Sequence, residues 1–212
     1  MTIGVHQPYF FPYLPYFQLI KAVDKFICLD DVNYINKGYI NRNVIKSGRF
    51  TIPIQAVSQN KLINELHIVP AMRGEFFNKI VHDYTGSPYF TTVWLMLERV
   101  LCSGETNIAK INYMAIKEVC AYLDIQTQIV PSSSVYPKNA PGQYRILEIC
   151  KQERATRYIN AIGGKELYSQ KVFGSVELKF LHAKINSLSI IDLMMILPAN
   201  EIKPLLNEYE LE

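Results

Sequence analysis

His6 and Gln7 stand near the start of the chain, directly after a short segment, residues 2–5, whose β-branched residues predict a strand. If this strand belongs to a parallel sheet, the loop after it lies over the ligand-binding edge. A neutral imidazole there can act as a general base or bind a phosphate oxygen. Gln7 can orient a carbonyl or stabilise an oxyanion. The structural alternative for His6 is a ring satisfied by a backbone carbonyl.

The loop that follows, VHQPYFFPYLPYF, is rich in proline and aromatic residues. Pro8, Pro12 and Pro15 restrict the backbone, so the side chains between them are held on a stiff chain. Such a loop suits the wall of a binding site. We expect some of its rings to enter the core and one or two to line a pocket for a base or a sugar, with Tyr9 and Tyr13 as the candidates.

Two carboxylates, Asp30 and Asp31, follow the second predicted strand, residues 25–29. A carboxylate at this edge can bind a ribose hydroxyl or a divalent ion, or accept a proton. Because successive strand residues point to opposite faces, only one of the two is expected to face a ligand. The alternative is an Asx turn that closes the strand.

Residues 30–50 are polar, aromatic and basic without a regular period, which predicts a long functional loop. Arginine offers a planar fork of donors that suits phosphate, and asparagine adds donors without charge. The segment therefore predicts a phosphate or nucleotide site, with a solvated basic face as the alternative. Its candidate binding residues are Tyr34, Lys37, Asn41, Arg42, Asn43 and Lys46.

The elements needed to position these residues alternate along the chain. Strands are predicted at residues 2–5, 25–29, 51–56, 66–69, 126–130, 157–160 and 176–180, and helices at 15–23, 76–84, 91–102, 108–123, 144–153, 188–196 and 200–209, with a tight turn at Gly163 and Gly164. This order predicts one domain, residues 1–212, with an α/β fold: a Rossmann-like, mainly parallel sheet with helices on both faces and a helical C-terminal part.

The composition excludes several classes of protein. Hydrophobic residues make up 49% and charged residues 19%, which is typical of a globular chain. The net charge of +3 is too small for a dedicated nucleic-acid binder. The four cysteines show neither zinc spacing nor a disulfide framework, so we expect reduced, buried thiols and no metal. Without a signal peptide or an apolar run of about 18 residues, we expect a cytoplasmic protein.

The segment HQPYFFPYLPYFQLIKAVDKFICLDDVNYINKGYINRNVIK resembles the opening signature of the WbqC-like family, roughly HQPxYLPWxGYFxKIxxADxFVxLDDVQYxKxGWxNRNxI. The similarity continues through RILEICKQERATRYINAIGGKELY and VELKFLHAKINSLSIIDLMM. The chain departs from the family pattern at Pro15–Tyr16, in the segment 182–184, and at Leu197–Pro198. The family is named from a gene of bacterial O-antigen clusters. Its members commonly accompany genes for the synthesis of nucleotide-linked deoxy-amino sugars whose amines carry acyl or aminoacyl groups.

The resemblance implies a transferase in O-antigen or other cell-surface polysaccharide biosynthesis that places an acyl, aminoacyl or glycyl group on a sugar amine. We expect direct attack by the amine on an activated donor, with His6 or Asp30 as base and without a covalent enzyme intermediate. The basic segment would hold a nucleotide sugar, and a charged tRNA is one candidate donor. No cofactor is expected besides this co-substrate.

Two other classes of function stay open. One is a nucleotidyltransferase-type enzyme, by analogy of fold, although Tyr13 or Leu14 and then Tyr16 stand where the usual histidine pair would be. The other is a module that binds a nucleotide or RNA without chemistry, through the basic segment and stacked tyrosines.

Overall fold

The computed structural model describes residues 1–58, 60–185 and 187–212. Within these ranges the strands are β1 (Thr2–His6), β2 (Lys25–Cys28), β3 (Arg42–Ile45), β4 (Gly48–Thr51), β5 (Gln128–Val130), β6 (Arg157–Ala161), β7 (Glu177–Ala183) and β8 (Tyr209–Leu211). The α-helices are α1 (Leu14–Lys21), α2 (Arg73–Tyr84), α3 (Phe90–Leu101), α4 (Ile108–Tyr122), α5 (Gly142–Gln152), α6 (Gln170–Phe173), α7 (Ile190–Ile196) and α8 (Ala199–Leu205).

Six strands form one sheet in the order β5-β2-β1-β6-β7-β8. The first five strands in this order are parallel, and β8 runs antiparallel to β7. The chain passes from β1 outwards through β2 to β5 and then returns to β6 on the other side of β1. The strand order therefore reverses between β1 and β6, which creates a topological switch point at their carboxyl ends.

Helices cover both faces of the sheet. Successive strand residues point to opposite sides, so each strand contributes side chains to a core on each face. The larger core includes Phe17 of α1 and Leu97 of α3, which pack on the same side as Ile159 of β6. The smaller core joins Val5 of β1 to α5 and to Phe173 of α6. This arrangement confirms the predicted α/β fold with a mainly parallel sheet and C-terminal helices. No helix in the described ranges combines the length and apolarity that a membrane span requires.

Residues 30–50 were predicted as one long loop, and this prediction is wrong for their second half. β3 and β4 form an antiparallel hairpin outside the main sheet, with Asn43 opposite Phe50. The inward positions of β3 are Asn43 and Ile45. The alternation of apolar and polar residues that predicts a strand is absent here, because the buried position 43 carries an asparagine. Its amide is stable in the interior because it is hydrogen-bonded.

Four other predicted elements differ. Thr51 ends β4, but residues 52–56 and 66–69 are not strands: the two segments meet at one isolated bridge, Ile54 to Ile68, and Pro53 interrupts the first. Gly163 and Gly164 lie in a 3-10 helix, Ile162–Leu167, instead of a tight turn. The last helix was predicted to reach residue 209, but it ends at Leu205 and the chain then forms β8. The buried amide of Gln18 donates to the Leu205 carbonyl over 2.8 Å at this helix end.

Candidate functional site

A cavity of about 820 Å³ opens at the carboxyl ends of β1, β6 and β7, beside the switch point. His6 ends β1, Asn160 lies near the end of β6, and His182 lies near the end of β7. The loop after β1 forms one wall and the 3-10 helix after β6 forms another. The volume lies within the range of about 300–1,000 Å³ that is typical of small-molecule sites. The position and the size both identify this cavity as the candidate site.

His6 lies in the cavity in a neutral form. Its Nδ1 is 3.1 Å from the backbone oxygen of Gln7, so Nδ1 carries the proton and donates it to this carbonyl. The rings of Tyr9 and Tyr16 contact the imidazole edge to face, with centroids 4.9 and 5.2 Å away. Burial lowers the pKa of His6 below its ordinary value, against a smaller opposing effect of the Gln7 hydrogen bond. The other nitrogen, Nε2, is therefore an unprotonated acceptor at neutral pH.

Four tyrosines extend the aromatic surface from His6 to the mouth of the cavity. The ring of Tyr9 lies 5.7 Å from Tyr16 and 5.5 Å from Tyr39, and Tyr39 in turn lies 5.6 Å from Tyr13. The Tyr16 hydroxyl donates to the Gln7 carbonyl over 3.0 Å. Tyr39 is 43% exposed and marks the mouth. We call these four residues the tyrosine wall.

Buried hydrogen bonds hold the loop that carries this wall. Phe11 adopts a φ of 41°, a left-handed conformation that is unfavourable for a bulky residue. Its carbonyl accepts hydrogen bonds of 2.7 Å from both Asn43 Nδ2 and Ser189 Oγ. Asn112 Nδ2 also donates to the carbonyls of Pro8 (2.8 Å) and Ile40 (2.7 Å), which joins the loop after β1 to the segment of Tyr39. The wall is thus preorganised by amides from distant parts of the chain.

Asp30 and Asp31 do not line the cavity. They are 4% and 6% exposed, and they join the end of β2 to the segment after β5 and to α5. Asp30 accepts hydrogen bonds from the Ser132 hydroxyl and the Ser133 backbone, while Asp31 pairs with Arg145 over 3.1 Å. Burial raises the pKa of Asp30, and these hydrogen bonds oppose part of the rise. Both carboxylates thus have structural partners.

Tyr34 and Asn41 are also turned into the protein. The Tyr34 hydroxyl donates to Asn41 Oδ1 over 2.9 Å, and Asn41 Nδ2 donates to the carbonyl of Ile52 over 2.8 Å. Asn43 is 3% exposed and uses its amide for the Phe11 carbonyl, as described above. Because these side chains satisfy one another and the backbone, they position the hairpin beside the cavity instead of facing it.

The three cationic candidates of the same segment lie outside the cavity lining. Arg42 Nε donates to the carbonyl of Gly38 over 2.7 Å. Lys37 and Lys46 are exposed, and the backbone of Lys46 is bonded to the Tyr84 hydroxyl. Of the predicted site residues, the structure brings His6, Gln7, Tyr9 and Tyr13 together in the cavity, and a ligand role for the others stays a prediction.

Several cavity residues were absent from the sequence prediction. They are Tyr16, Tyr39, Asn160, Gly164 and His182. The signal that could have found Asn160 and His182 is their place at the ends of predicted parallel strands, which meet at one edge of the sheet. Which strands flank β1 follows only from the strand order. That order is a tertiary property.

The chemical character of the cavity is neutral. Among the lining residues that the structure describes, none is Lys, Arg, Asp or Glu. Nowhere in the described ranges do three His, Cys, Asp or Glu side chains form a group that could hold a metal ion. Burial raises the pKa of the Cys120 and Cys150 thiols to about 12, which disfavours the nucleophilic thiolate. The expectation of buried thiols is wrong for Cys102, which is exposed.

The fold and the cavity define an α/β protein with a candidate small-molecule site at the switch point of a mainly parallel sheet. A model of the WbqC-like protein family matches residues 7–204, and the chain belongs to this family. The chain is also 23% identical over 184 residues to the uncharacterized protein Rv1507c of Mycobacterium tuberculosis, a match that covers 84% of this chain and 79% of that protein. No solved structure shows a significant match.

Proposed function

We propose that the protein is a transferase that places an acyl or aminoacyl group on the amine of a nucleotide-linked deoxy-amino sugar. The observation that carries the proposal is the state of His6 in the cavity at the switch point. Its Nδ1 is committed to the Gln7 carbonyl, and its lowered pKa leaves Nε2 unprotonated at neutral pH. A general base needs this combination of a fixed orientation and a free lone pair.

In the proposed reaction, the amine nitrogen attacks the carbonyl carbon of the activated donor and a new C–N bond forms. His6 Nε2 takes the proton that the nitrogen loses. The tetrahedral intermediate then collapses, the bond to the donor's leaving group breaks, and the imidazolium returns the proton to that group. The side-chain amide of Gln7, the next residue in the lining, donates to the carbonyl oxygen as negative charge develops on it.

The uncharged lining of the cavity also favours the neutral, nucleophilic form of the sugar amine. An amine must be neutral to attack, and the described lining provides no carboxylate that would stabilise its ammonium form. Desolvation by aromatic and aliphatic side chains therefore lowers the pKa of a bound amine in the same direction as that of His6. The pathway that this reaction would serve is cell-surface polysaccharide biosynthesis, as the family resemblance implies.

The proposal is tested with the whole protein and a thymidine-diphosphate amino-deoxyhexose, given acetyl coenzyme A or glycyl-tRNA in separate reactions. Mass spectrometry should detect the sugar nucleotide with the added acyl group. His6→Gln should lower turnover by about 10²-fold or more. The matched control is His82→Gln, because His82 is 81% exposed and lies outside the cavity lining.

Three results would contradict the proposal. His6→Gln with the turnover of the wild type and an intact fold would remove His6 as the base. Release of pyrophosphate from ATP or CTP, without acyl transfer, would indicate the nucleotidyltransferase reaction instead. RNA binding that falls steeply with salt, together with indifference to sugar nucleotides, would indicate the binding module.

A further inference from the structure

We infer that the hydroxyls and ring faces of Tyr9, Tyr13 and Tyr39 form the binding site for the uncharged pyranose ring of the substrate, and that its phosphates stay outside the cavity. This inference rests on the proposed function, because it assigns the sugar of that reaction to one part of the same cavity. It also changes an expectation from the sequence, which placed the binding of the nucleotide sugar in the basic segment.

The first observation is the state of the three hydroxyls. Unlike Tyr16, whose hydroxyl donates to the Gln7 carbonyl, none of the three forms a hydrogen bond to another described residue. Tyr9 and Tyr13 are partly buried in the cavity, where a tyrosine hydroxyl normally has a partner. Burial raises the pKa of Tyr9 and Tyr13, and neighbouring tyrosine hydroxyls raise it further, so these two hydroxyls stay protonated. Tyrosine hydroxyls, which can each donate and accept, match the hydroxyls of a sugar.

The second observation is the shape of the wall. The rings of Tyr9 and Tyr39 are tilted by 39° and Tyr13 meets Tyr39 at 77°, so together they form a curved aromatic surface. The C–H face of a pyranose is apolar and slightly positive, and it packs against the negative face of an aromatic ring. One end of this surface reaches His6 and the other reaches the mouth at Tyr39. A ring on the wall can thus present its amine to His6 while its anomeric substituent points outward.

The third observation is the absence of charge in the described lining, noted above. A diphosphate placed inside would lose its hydration without gaining a Lys or Arg partner, which is strongly unfavourable. At the mouth it remains hydrated, beside the exposed segment of Ile35, Lys37 and Tyr39. The cavity therefore selects the ring and excludes the phosphates.

The test is a ligand-observed NMR titration of the whole protein with the methyl glycoside of an N-acetylated amino-deoxyhexose, a neutral analogue of the product. We expect binding that changes little with salt. Tyr9→Phe and Tyr13→Phe keep the ring and remove only the hydroxyl, and each should weaken binding by about threefold to tenfold. Tyr144→Phe is the matched control, because Tyr144 is 53% exposed and lies outside the lining.

Three results would overturn the inference: no binding of the glycoside, wild-type affinity in both cavity variants, or competition by thymidine or thymidine diphosphate for the same site. The last would show that the wall holds a base or that the cavity takes a phosphate. Failure of the proposed function is distinguishable. Glycoside binding that depends on Tyr9 and Tyr13 without any acyl transfer would reject the reaction and keep the sugar site.

Discussion

Asn43 Nδ2 lies 2.7 Å from the carbonyl oxygen of Phe11, a residue with a φ of 41°, and this hydrogen bond joins the hairpin to the loop that forms the tyrosine wall. A bulky residue in this conformation costs about 1–3 kcal/mol, so its surroundings must hold it there. The strained residue lies in the loop between His6 and α1, and the hydrogen bond helps to hold it there. The amide of Asn43 therefore acts on the shape of the cavity without facing it.

The first prediction concerns this contact. Asn43→Ala removes the donor and leaves a buried carbonyl with one partner fewer, so the free energy of unfolding should fall by about 1–3 kcal/mol. Denaturant unfolding measures this change. Asn200→Ala, at an exposed position of α8, is the control and should stay within about 0.5 kcal/mol of the wild type. Equal stability of the two variants would show that the contact does not hold the loop.

The second prediction is the pH dependence that His6 imposes. Because burial lowers its pKa in the folded state, the unfolded chain binds more protons between that lowered pKa and the ordinary value of 6.5. Stability should thus rise with pH across this window and fall as the solution is acidified through it. In His6→Gln the unfolding free energy should lose this slope, while His82→Gln should keep it.

The titration of His6 should also appear in the pH dependence of catalysis. The pH profile of kcat/KM should rise through an apparent pKa below 6.5 to a plateau, since the unprotonated ring is the active form. An apparent pKa above 6.5 for this limb would contradict the neutral imidazole inferred from the structure.

The third prediction concerns the buried pair of Asp31 and Arg145. Arg145→Met leaves the Asp31 carboxylate in the interior without its cation and should lower stability by about 3–5 kcal/mol. Adding Asp31→Asn to this variant should recover part of the loss, because the unpaired charge is then removed. Urea unfolding of the double-mutant cycle measures both effects.

A surface ion pair provides the comparison for this cycle. Lys184 and Glu210 are 3.2 Å apart, with side chains 52% and 72% exposed. Lys184→Met should change stability by only about 0–1 kcal/mol. If Arg145→Met were equally mild, the carboxylate of Asp31 would not depend on its buried partner.

The fourth prediction compares two adjacent glycines of the cavity. A Cβ added at Gly164 would lie 2.5 Å from Asn160 Nδ2, whereas one added at Gly163 meets no atom within 4 Å. Asn160 is buried and accepts a hydrogen bond from the Ala161 amide over 2.9 Å, so its displacement disturbs the end of β6. Gly164→Ala should lower stability by about 1 kcal/mol, while Gly163→Ala should leave it unchanged. Denaturant unfolding measures the effect, and equal stability of the two variants would contradict the contact.

Local patterns were sufficient to predict much of the fold. The β-branched run before His6, the spacing of α1 and the apolar stripe of α4 each follow from the identities of nearby residues, and the structure has all three elements. The alternation of strands and helices then indicates a parallel sheet, because parallel strands need crossover connections. By the same rule, the sequence predicts His6 at the ligand-binding edge of the sheet.

The direction and partners of polar side chains were decided by the tertiary structure. Asp31 meets Arg145 from 114 positions further along the chain, and Asn112 donates to the carbonyl of Pro8 from 104 positions away. Nothing in the residues beside Asp31 distinguishes a buried partner of arginine from a ligand of a substrate. A polar residue is stable in the interior only when a partner is present, and that partner is brought there by the packing of the whole chain.

The sequence by itself thus determined the five parallel strands, most of the helices and their order along the chain, since these depend on neighbouring residues. Only the tertiary structure decided which residues share the cavity: His6, Tyr39, Asn160 and His182 come from four separate segments. The physical reason is the strand order. It places β6 next to β1 and β7 next to β6, and so makes one site from residues that are far apart in the chain.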